Sequence, residues 1–227
     1  MRRLIVTFSA LLLATTAQAQ VTNYATRADF NTASPGVPTE TFGAMNLSIG
    51  TLGSFTGPLD ASTNNSIFAT GSVLSGFTMN TTASDGTPIA NGSIYASNAC
   101  CDAPTTVVSS NFFSENIALD FSSSITAFAI DVYGFSGNND AWAISLIGSG
   151  GLIGTYNLPG AGFFGITSTT AITRVYFDKP DSGGVITNLS FGKAGAVPET
   201  GTWAMLIVGF GVAGVALRGR KRALAIV

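Results

Sequence analysis

The chain of 227 residues has no histidine and only two cysteines, and charged side chains make up 10% of it. Without histidine, Ser-His-Asp and Cys-His catalysis in their usual forms are excluded. The two cysteines, Cys100 and Cys101, are neighbours, so they cannot link distant parts of the fold. A vicinal disulfide, two free thiols and pairing between chains all stay open, whereas a structural zinc site is not expected.

Basic residues are also scarce between the two ends of the chain. Residues 20–195 carry eleven acidic and four basic side chains, which gives a net charge near −7. The whole chain has a formal charge of −2 because most of its ten cations lie close to the ends. A segment with so few lysines binds phosphate backbones poorly, so the sequence predicts no nucleic-acid partner.

The first 19 residues have the three parts of a secretory signal peptide. A basic start, Met1-Arg2-Arg3, precedes an apolar run over residues 4–14. A small-x-small cleavage site follows, formed by Ala17 and Ala19. Such a segment is removed from the mature protein. We predict export through the Sec machinery, with cleavage after Ala19.

An apolar run that ends in a basic cluster lies at the other end of the chain. Residues 202–217 carry no charge, and four cations follow them directly. These are Arg218, Arg220, Lys221 and Arg222. The run is shorter than the roughly 20 residues of a full span, but long basic side chains extend the reach of a helix. Because such cations stay on the cytoplasmic side, we predict one short transmembrane helix over 202–217 and a cytoplasmic tail at 223–227. A soluble core helix is the alternative.

A short motif within residues 196–222 precedes and enters this helix. Its members are Val197, Pro198, Glu199 and Thr200, then Trp203, Ala204 and Met205, then Gly209, Phe210 and Gly211. With the helix and the basic stop, these residues resemble the PEP-CTERM sorting signal in its proteobacterial form, which is also labelled an ice-binding-protein C-terminal domain. Thr200 stands where that family usually has a second proline.

The resemblance implies processing by an exosortase, a membrane protease or transpeptidase that cuts near the Pro-Glu-Pro site. The product is then released or attached to the cell surface, and the family is often linked to exopolysaccharide and biofilm matrix. We therefore expect a protein held at the inner membrane facing the periplasm, and later found at the cell surface or outside the cell. The tail itself would be a substrate and carry no catalysis.

The middle of the chain, residues 20–195, is long enough for one domain with a core. Apolar and polar residues alternate over Ile117–Phe121 and Ile125–Tyr133, and short strands recur at a spacing of about ten residues with no convincing helix. We predict turns at 122–124 and between the strands 163–167 and 172–177. This pattern predicts an all-β, antiparallel β-sandwich, with a jelly roll favoured.

Candidate catalytic groups are few. Paired carboxylates are what glycoside hydrolysis needs, and the candidate pairs are Asp120 with Asp131 and Glu40 with Glu115. Carboxylates at strand ends are more often turn or surface residues, so a glycoside hydrolase is a remote alternative. We predict no catalytic residue and no cofactor.

Binding residues are the remaining possibility. Tyr95, Tyr133 and Tyr156 are aromatics suited to stacking on sugar rings, whereas Trp142 is expected in the core because it alternates in phase with Ile144. The loops 136–140 and 178–184 are rich in oxygen ligands of the kind calcium uses, but ordinary turn chemistry is the interpretation we prefer, so no metal site is predicted. The favoured function is a non-enzymatic surface or matrix protein, and the alternative is a carbohydrate-binding module.

Overall fold

The computed structural model describes residues 20–100, 103–134, 140–179, 183–195 and Phe210. These residues form one α-helix and eleven strands, and the strand pairs are antiparallel, which confirms the all-β class. The elements in chain order are β1 Val21–Tyr24, α1 Arg27–Ala33, β2 Thr39–Glu40, β3 Leu52–Thr56, β4 Phe77–Thr82, β5 Ser93–Asn98, β6 Thr106–Ser110, β7 Asn116–Gly134, β8 Trp142–Gly148, β9 Gly151–Leu158, β10 Gly162–Asp178 and β11 Gly184–Gly192.

The strands follow the order β3-β5-β6-β11-β7-β10-β8-β9, while β1 joins β10, β2 joins β11 and β4 joins β7. The long strands β7 and β10 pair with each other along most of their length. The first part of β7 pairs with β4, and its second part pairs with β11. The β7–β10 ribbon therefore connects two groups of strands.

This ribbon folds over at its middle. The ring of Phe128 lies 6.2 Å from the ring of Phe177. In the ladder, however, Phe177 pairs with Ile117, eleven positions before Phe128. A straight strand would separate those positions by about 36 Å. The two halves of the ribbon therefore face each other as the layers of a sandwich-like structure.

The fold-over coincides with segments rich in serine and threonine. Residues 122–124 are exposed within β7, and the pairing with β10 is irregular between Thr167 and Ile172. The predicted turns at 122–124 and between 167 and 172 are wrong, because both segments lie within continuous strands. Pairing with neighbouring strands keeps the backbone extended where the local sequence favours a turn.

One hydrophobic core lies between the layers. Ile117 and Leu119 face it from the first half of β7, and Phe128 and Ile130 face it from the second half. The inward face thus changes from odd to even positions across the fold. Trp142, only 1% exposed, belongs to the same core, which confirms its predicted place beside Ile144.

Helix α1 covers the outer face of one layer. It begins after Thr26, whose side chain accepts a hydrogen bond from the backbone of Asp29, a usual N-cap. Its Phe30 is fully buried against Ala127 and Ala129 of β7. Small side chains at these two positions let the helix approach the strand closely.

Strands β3 and β6 were not predicted. Their residues are rich in glycine, serine and threonine, and β6 is buried along its whole length, so neither shows alternation. Within the ranges given above, no helix is both long enough and apolar enough to cross a membrane. The predicted transmembrane helix lies outside those ranges except for Phe210.

Candidate functional site

The sorting and signal residues predicted from the sequence lie almost entirely outside the described residues. This holds for Ala17 and Ala19, for the basic stop, and for the motif at 197–211 except Phe210. What the structure does give is the geometry of the domain between these two segments.

Both ends of that domain lie beside the fold of the β7–β10 ribbon. The backbone N–H of Gln20 donates to the Thr169 hydroxyl at 3.0 Å. The backbone N–H of Ala194 donates to the Thr126 hydroxyl at 2.9 Å. Residues 126 and 169 flank the paired positions 127 and 167. The two chain exits are therefore at the same end of the sandwich, which we call the exit end.

The carboxylates Asp120 and Asp131 do not form a catalytic pair. Asp120 lies 3.0 Å from Arg174, and Asp131 lies 3.1 Å from Arg27. Each aspartate points away from the core, and the two lie on opposite layers. Packed sheets are about 10 Å apart, which already exceeds the roughly 5–9.5 Å between the carboxylates of glycosidases.

Glu40 and Glu115 also have separate surroundings. Glu40 is 5% exposed, and its two carboxylate oxygens accept the backbone N–H groups of Phe42 and of Leu74, the latter at 2.6 Å. Its contacts are those of a structural residue. Glu115 lies near Lys179, and one of its oxygens is buried without a hydrogen-bond partner within the described ranges.

A cleft of about 130 Å³ lies near Glu115 and Lys179. Residues from β5, β6, the β6–β7 loop, the position directly after β10 and the start of β11 line it. They are Tyr95, Ser109, Ser110, Asn111, Phe113, Lys179, Gly184 and Val185. We call this the distal cleft, because Gly184 and the exit end lie at opposite ends of the nine-residue strand β11, about 26 Å apart.

Buried contacts fix one wall of the distal cleft. Gly184 pairs with Gly134 at the end of β7, and its carbonyl accepts a hydrogen bond from the Ser109 hydroxyl. A Cβ at Gly184 would lie 2.2 Å from the Trp142 ring, so only glycine fits there without rearrangement. The core tryptophan thus packs directly beneath the cleft.

Lys179 fixes another part of the wall. It is 5% exposed, and its ammonium donates to the carbonyls of Phe112 at 3.1 Å and Phe113 at 2.7 Å. The backbone N–H of Lys179 donates to the Asn116 side chain at 3.1 Å. These bonds tie the loop before β7 to the end of β10 and place a positive charge at the cleft.

The loop held by Lys179 presents two exposed rings. Phe112 is 55% exposed and Phe113 is 54% exposed, and Phe113 alone of the two lines the cleft. The Lys179 ammonium lies 6.0 Å from the centre of the Phe113 ring. Burial raises the pKa of the Glu115 carboxyl, and the Lys179 charge lowers that pKa by a smaller amount.

The tyrosines proposed from the sequence as sugar-stacking residues lie in different surroundings. Tyr95 lines the cleft, and its hydroxyl lies 3.1 Å from the Cys100 sulfur. Tyr156 packs against the core, and Tyr133 packs against a small cluster that includes Val185. Burial raises the pKa of both of these tyrosines. Tyr95 is therefore the one sequence-proposed aromatic in the cleft.

Sequence reasoning missed Phe112, Phe113 and Lys179. A local signal was present, because two adjacent phenylalanines interrupt the polar segment 109–115 without any alternation. The contribution of Lys179 had no such signal, because its partners are 66 and 67 residues away in sequence.

The structure describes only part of the cysteine pair and only part of each candidate calcium loop. Cys100 is disulfide-bonded, as expected for the vicinal alternative, and Cys101 lies outside the described residues. The candidate calcium loops also fall partly outside them. Among the residues that are described, no group of three His, Cys, Asp or Glu side chains is placed to hold a metal ion.

Comparisons with known proteins add no assignment. No protein-family model matches this chain, and no curated protein matches it significantly. The resemblance of residues 196–222 to a sorting signal therefore rests on the motif residues themselves.

Proposed function

We propose that this chain is a non-enzymatic, exported protein of the cell surface or extracellular matrix that an exosortase sorts through its C-terminal segment. The observation that carries the proposal is the succession of a Val197-Pro198-Glu199 motif, the apolar run 202–217 and four cations. An apolar segment that meets a basic cluster is retained at the cytoplasmic face, which orients the preceding domain outward.

The architecture of the middle domain agrees with this proposal. The first strand begins at Val21, directly after the predicted cleavage at Ala19, so removal of the signal peptide would leave the fold intact. The last strand ends at Gly192, only a few residues before the motif. A tether at the exit end would leave the rest of the sandwich exposed to the periplasm or, after sorting, to the medium.

We also propose a topology for the domain, a membrane segment and a cellular location. The domain is jelly-roll-like, the segment 202–217 is its membrane helix, and the protein moves from the inner membrane to the surface or medium. Its expected partners are the Sec machinery, the exosortase and an exopolysaccharide matrix.

The test is fractionation and intact-mass measurement in strains with and without an exosortase. We expect a shortened product, cut near Glu199, only in the strain that has the enzyme. Replacing Pro198 and Glu199 together by alanine is expected to prevent cutting, whereas Thr200→Pro, which completes the family motif, is expected to increase it. A full-length tail in both strains would contradict the proposal.

Carbohydrate binding is a second candidate function, and the distal cleft with its exposed Phe113 is the observation that favours it. A hydrolase is not favoured by the described geometry, because Asp120 and Asp131 occupy opposite faces of the sandwich and each is paired with an arginine.

A further inference from the structure

We propose that the distal cleft binds a single neutral pyranose ring, with the Phe113 side chain as the surface on which the sugar stacks. This inference rests on the carbohydrate-binding function proposed above. It assigns a ligand class and a named contact residue to that function.

The Phe113 ring at the cleft offers a surface for stacking. Phe113 is 54% exposed, and covering the exposed part of an aromatic ring with an apolar surface is favourable. One face of a pyranose ring carries C–H groups and supplies such a surface. The bonds from Lys179 to the carbonyls of Phe112 and Phe113 hold the loop in place, so little ordering is needed on binding.

The cleft also carries groups that can form hydrogen bonds with sugar hydroxyls. The Ser109 hydroxyl donates to the Gly184 carbonyl, and the Ser110 hydroxyl donates to the Glu115 carbonyl at 2.8 Å. With their protons directed at the backbone, both serine oxygens keep lone pairs that can accept from sugar hydroxyls. Asn111 is exposed and adds an amide that both donates and accepts.

Size and charge narrow the ligand further. A volume of about 130 Å³ corresponds to about four water molecules at roughly 30 Å³ each, so the cleft has room for one sugar ring at most. Among the described residues that line the cleft there is no carboxylate, and the Lys179 ammonium is already bonded to two carbonyls. The surrounding acidic domain repels anionic chains, so a neutral ring fits better than an acidic one.

The position of the cleft suits a tethered protein. The cleft lies about 26 Å from the exit end, along the length of β11. A chain held at its exit end therefore presents the cleft away from the anchor. One ring in the cleft corresponds to the end or a side branch of a glycan.

The test is saturation-transfer NMR and titration of the purified full chain in mild detergent with methyl glucoside, methyl galactoside and methyl mannoside. Phe113→Ala is expected to weaken binding at least tenfold, which corresponds to about 1.4 kcal/mol. Phe112→Ala is the matched control, because Phe112 is equally exposed but does not line the cleft; we expect less than a twofold effect. Phe113→Trp is expected to retain binding.

The outcomes separate the two levels of the proposal. If the wild-type chain binds none of the three glycosides, carbohydrate binding itself is refuted. If the wild-type chain binds but Phe113→Ala binds equally well, the cleft is the wrong site. Near-identical circular dichroism spectra and melting temperatures of the variants show that a loss of binding is not a loss of folding. Should Phe113→Ala misfold, equal affinity of the folded Phe113→Trp and Phe113→Ser variants would likewise overturn the assignment.

Discussion

Replacing Glu40 by glutamine is predicted to destabilise the fold strongly. The Glu40 carboxylate is buried, and its two oxygens accept the backbone N–H groups of Phe42 and Leu74. Phe42 is fully buried and has a φ of 56°, a left-handed conformation that costs a bulky residue about 1–2 kcal/mol. The Glu40 carboxylate stabilises this strained residue and ties it to the loop at Leu74, which lies 34 positions after Glu40.

The magnitude follows from the geometry. Glutamine can accept through one oxygen only, so its amide nitrogen would face the second N–H group, donor against donor. A hydrogen bond to a charged group contributes about 1.5–3 kcal/mol, and a buried donor left without an acceptor costs about 1–3 kcal/mol. We therefore expect Glu40→Gln to lower the free energy of unfolding by about 2–4 kcal/mol, a large part of the 5–15 kcal/mol typical of a domain.

The assay is urea unfolding of the full chain in detergent, followed by the fluorescence of Trp142 in a Trp203→Phe background. Trp142 is 1% exposed, so its emission reports loss of the core. Glu115→Gln is the matched control: one Glu115 oxygen has no hydrogen-bond partner within the described ranges, so we expect a change below about 1 kcal/mol. A Glu40→Gln variant within about 0.5 kcal/mol of wild type would refute the reasoning.

Two further predictions concern packing and pH. Gly148→Ala would place a Cβ 2.6 Å from the Ala171 carbonyl oxygen, so we expect a loss of about 1–3 kcal/mol in the same unfolding assay. Gly150→Ala is the control and should change stability little, because no atom of the described residues lies within 4 Å of a Cβ there. Equal effects of the two substitutions would contradict this. Burial raises the pKa of Tyr133 and Tyr156 above 10.0, so the folded chain keeps protons that the unfolded chain loses, and stability should fall as pH rises above about 10. Tyr156→Phe should make the free energy of unfolding fall less steeply with pH. If unfolding curves measured from pH 9 to 11 give the same dependence of this free energy on pH in the variant as in the wild type, the prediction is wrong.

Glu115, like the two tyrosines, should make stability fall as pH rises, but in a lower pH range. Because its pKa in the folded chain is raised above 4.5, the folded state binds more protons than the unfolded state in that range. Its contribution to stability is therefore lost as pH rises through the raised pKa. The difference in stability between wild type and Glu115→Gln should show this trend, which is why the Glu40 comparison is best made at one fixed pH.

Local pattern was enough to predict the all-β class and parts of the core. Trp142 and Ile144 alternate with polar or small residues, and any strand with one buried face shows that period. The two ends of the chain can also be interpreted without a structure, because an apolar run beside a basic cluster is recognised from its own composition. The resulting predictions of a signal peptide, membrane helix and sorting motif remain to be tested.

Only tertiary structure decided that β7 continues as a strand through its serine segment and which residues become neighbours at the distal cleft. The serines at 122–124 are as compatible with a turn as with a strand, and cross-strand pairing of β7 with β10 selects the strand. Phe113 and Lys179 are 66 residues apart, so no local period relates them. Sequence by itself fixes which segments are apolar and at what period, because hydrophobicity and backbone preference are local properties. Which polar groups become neighbours depends on the energy of long-range pairing and packing, and that energy is determined only when the whole sheet has formed.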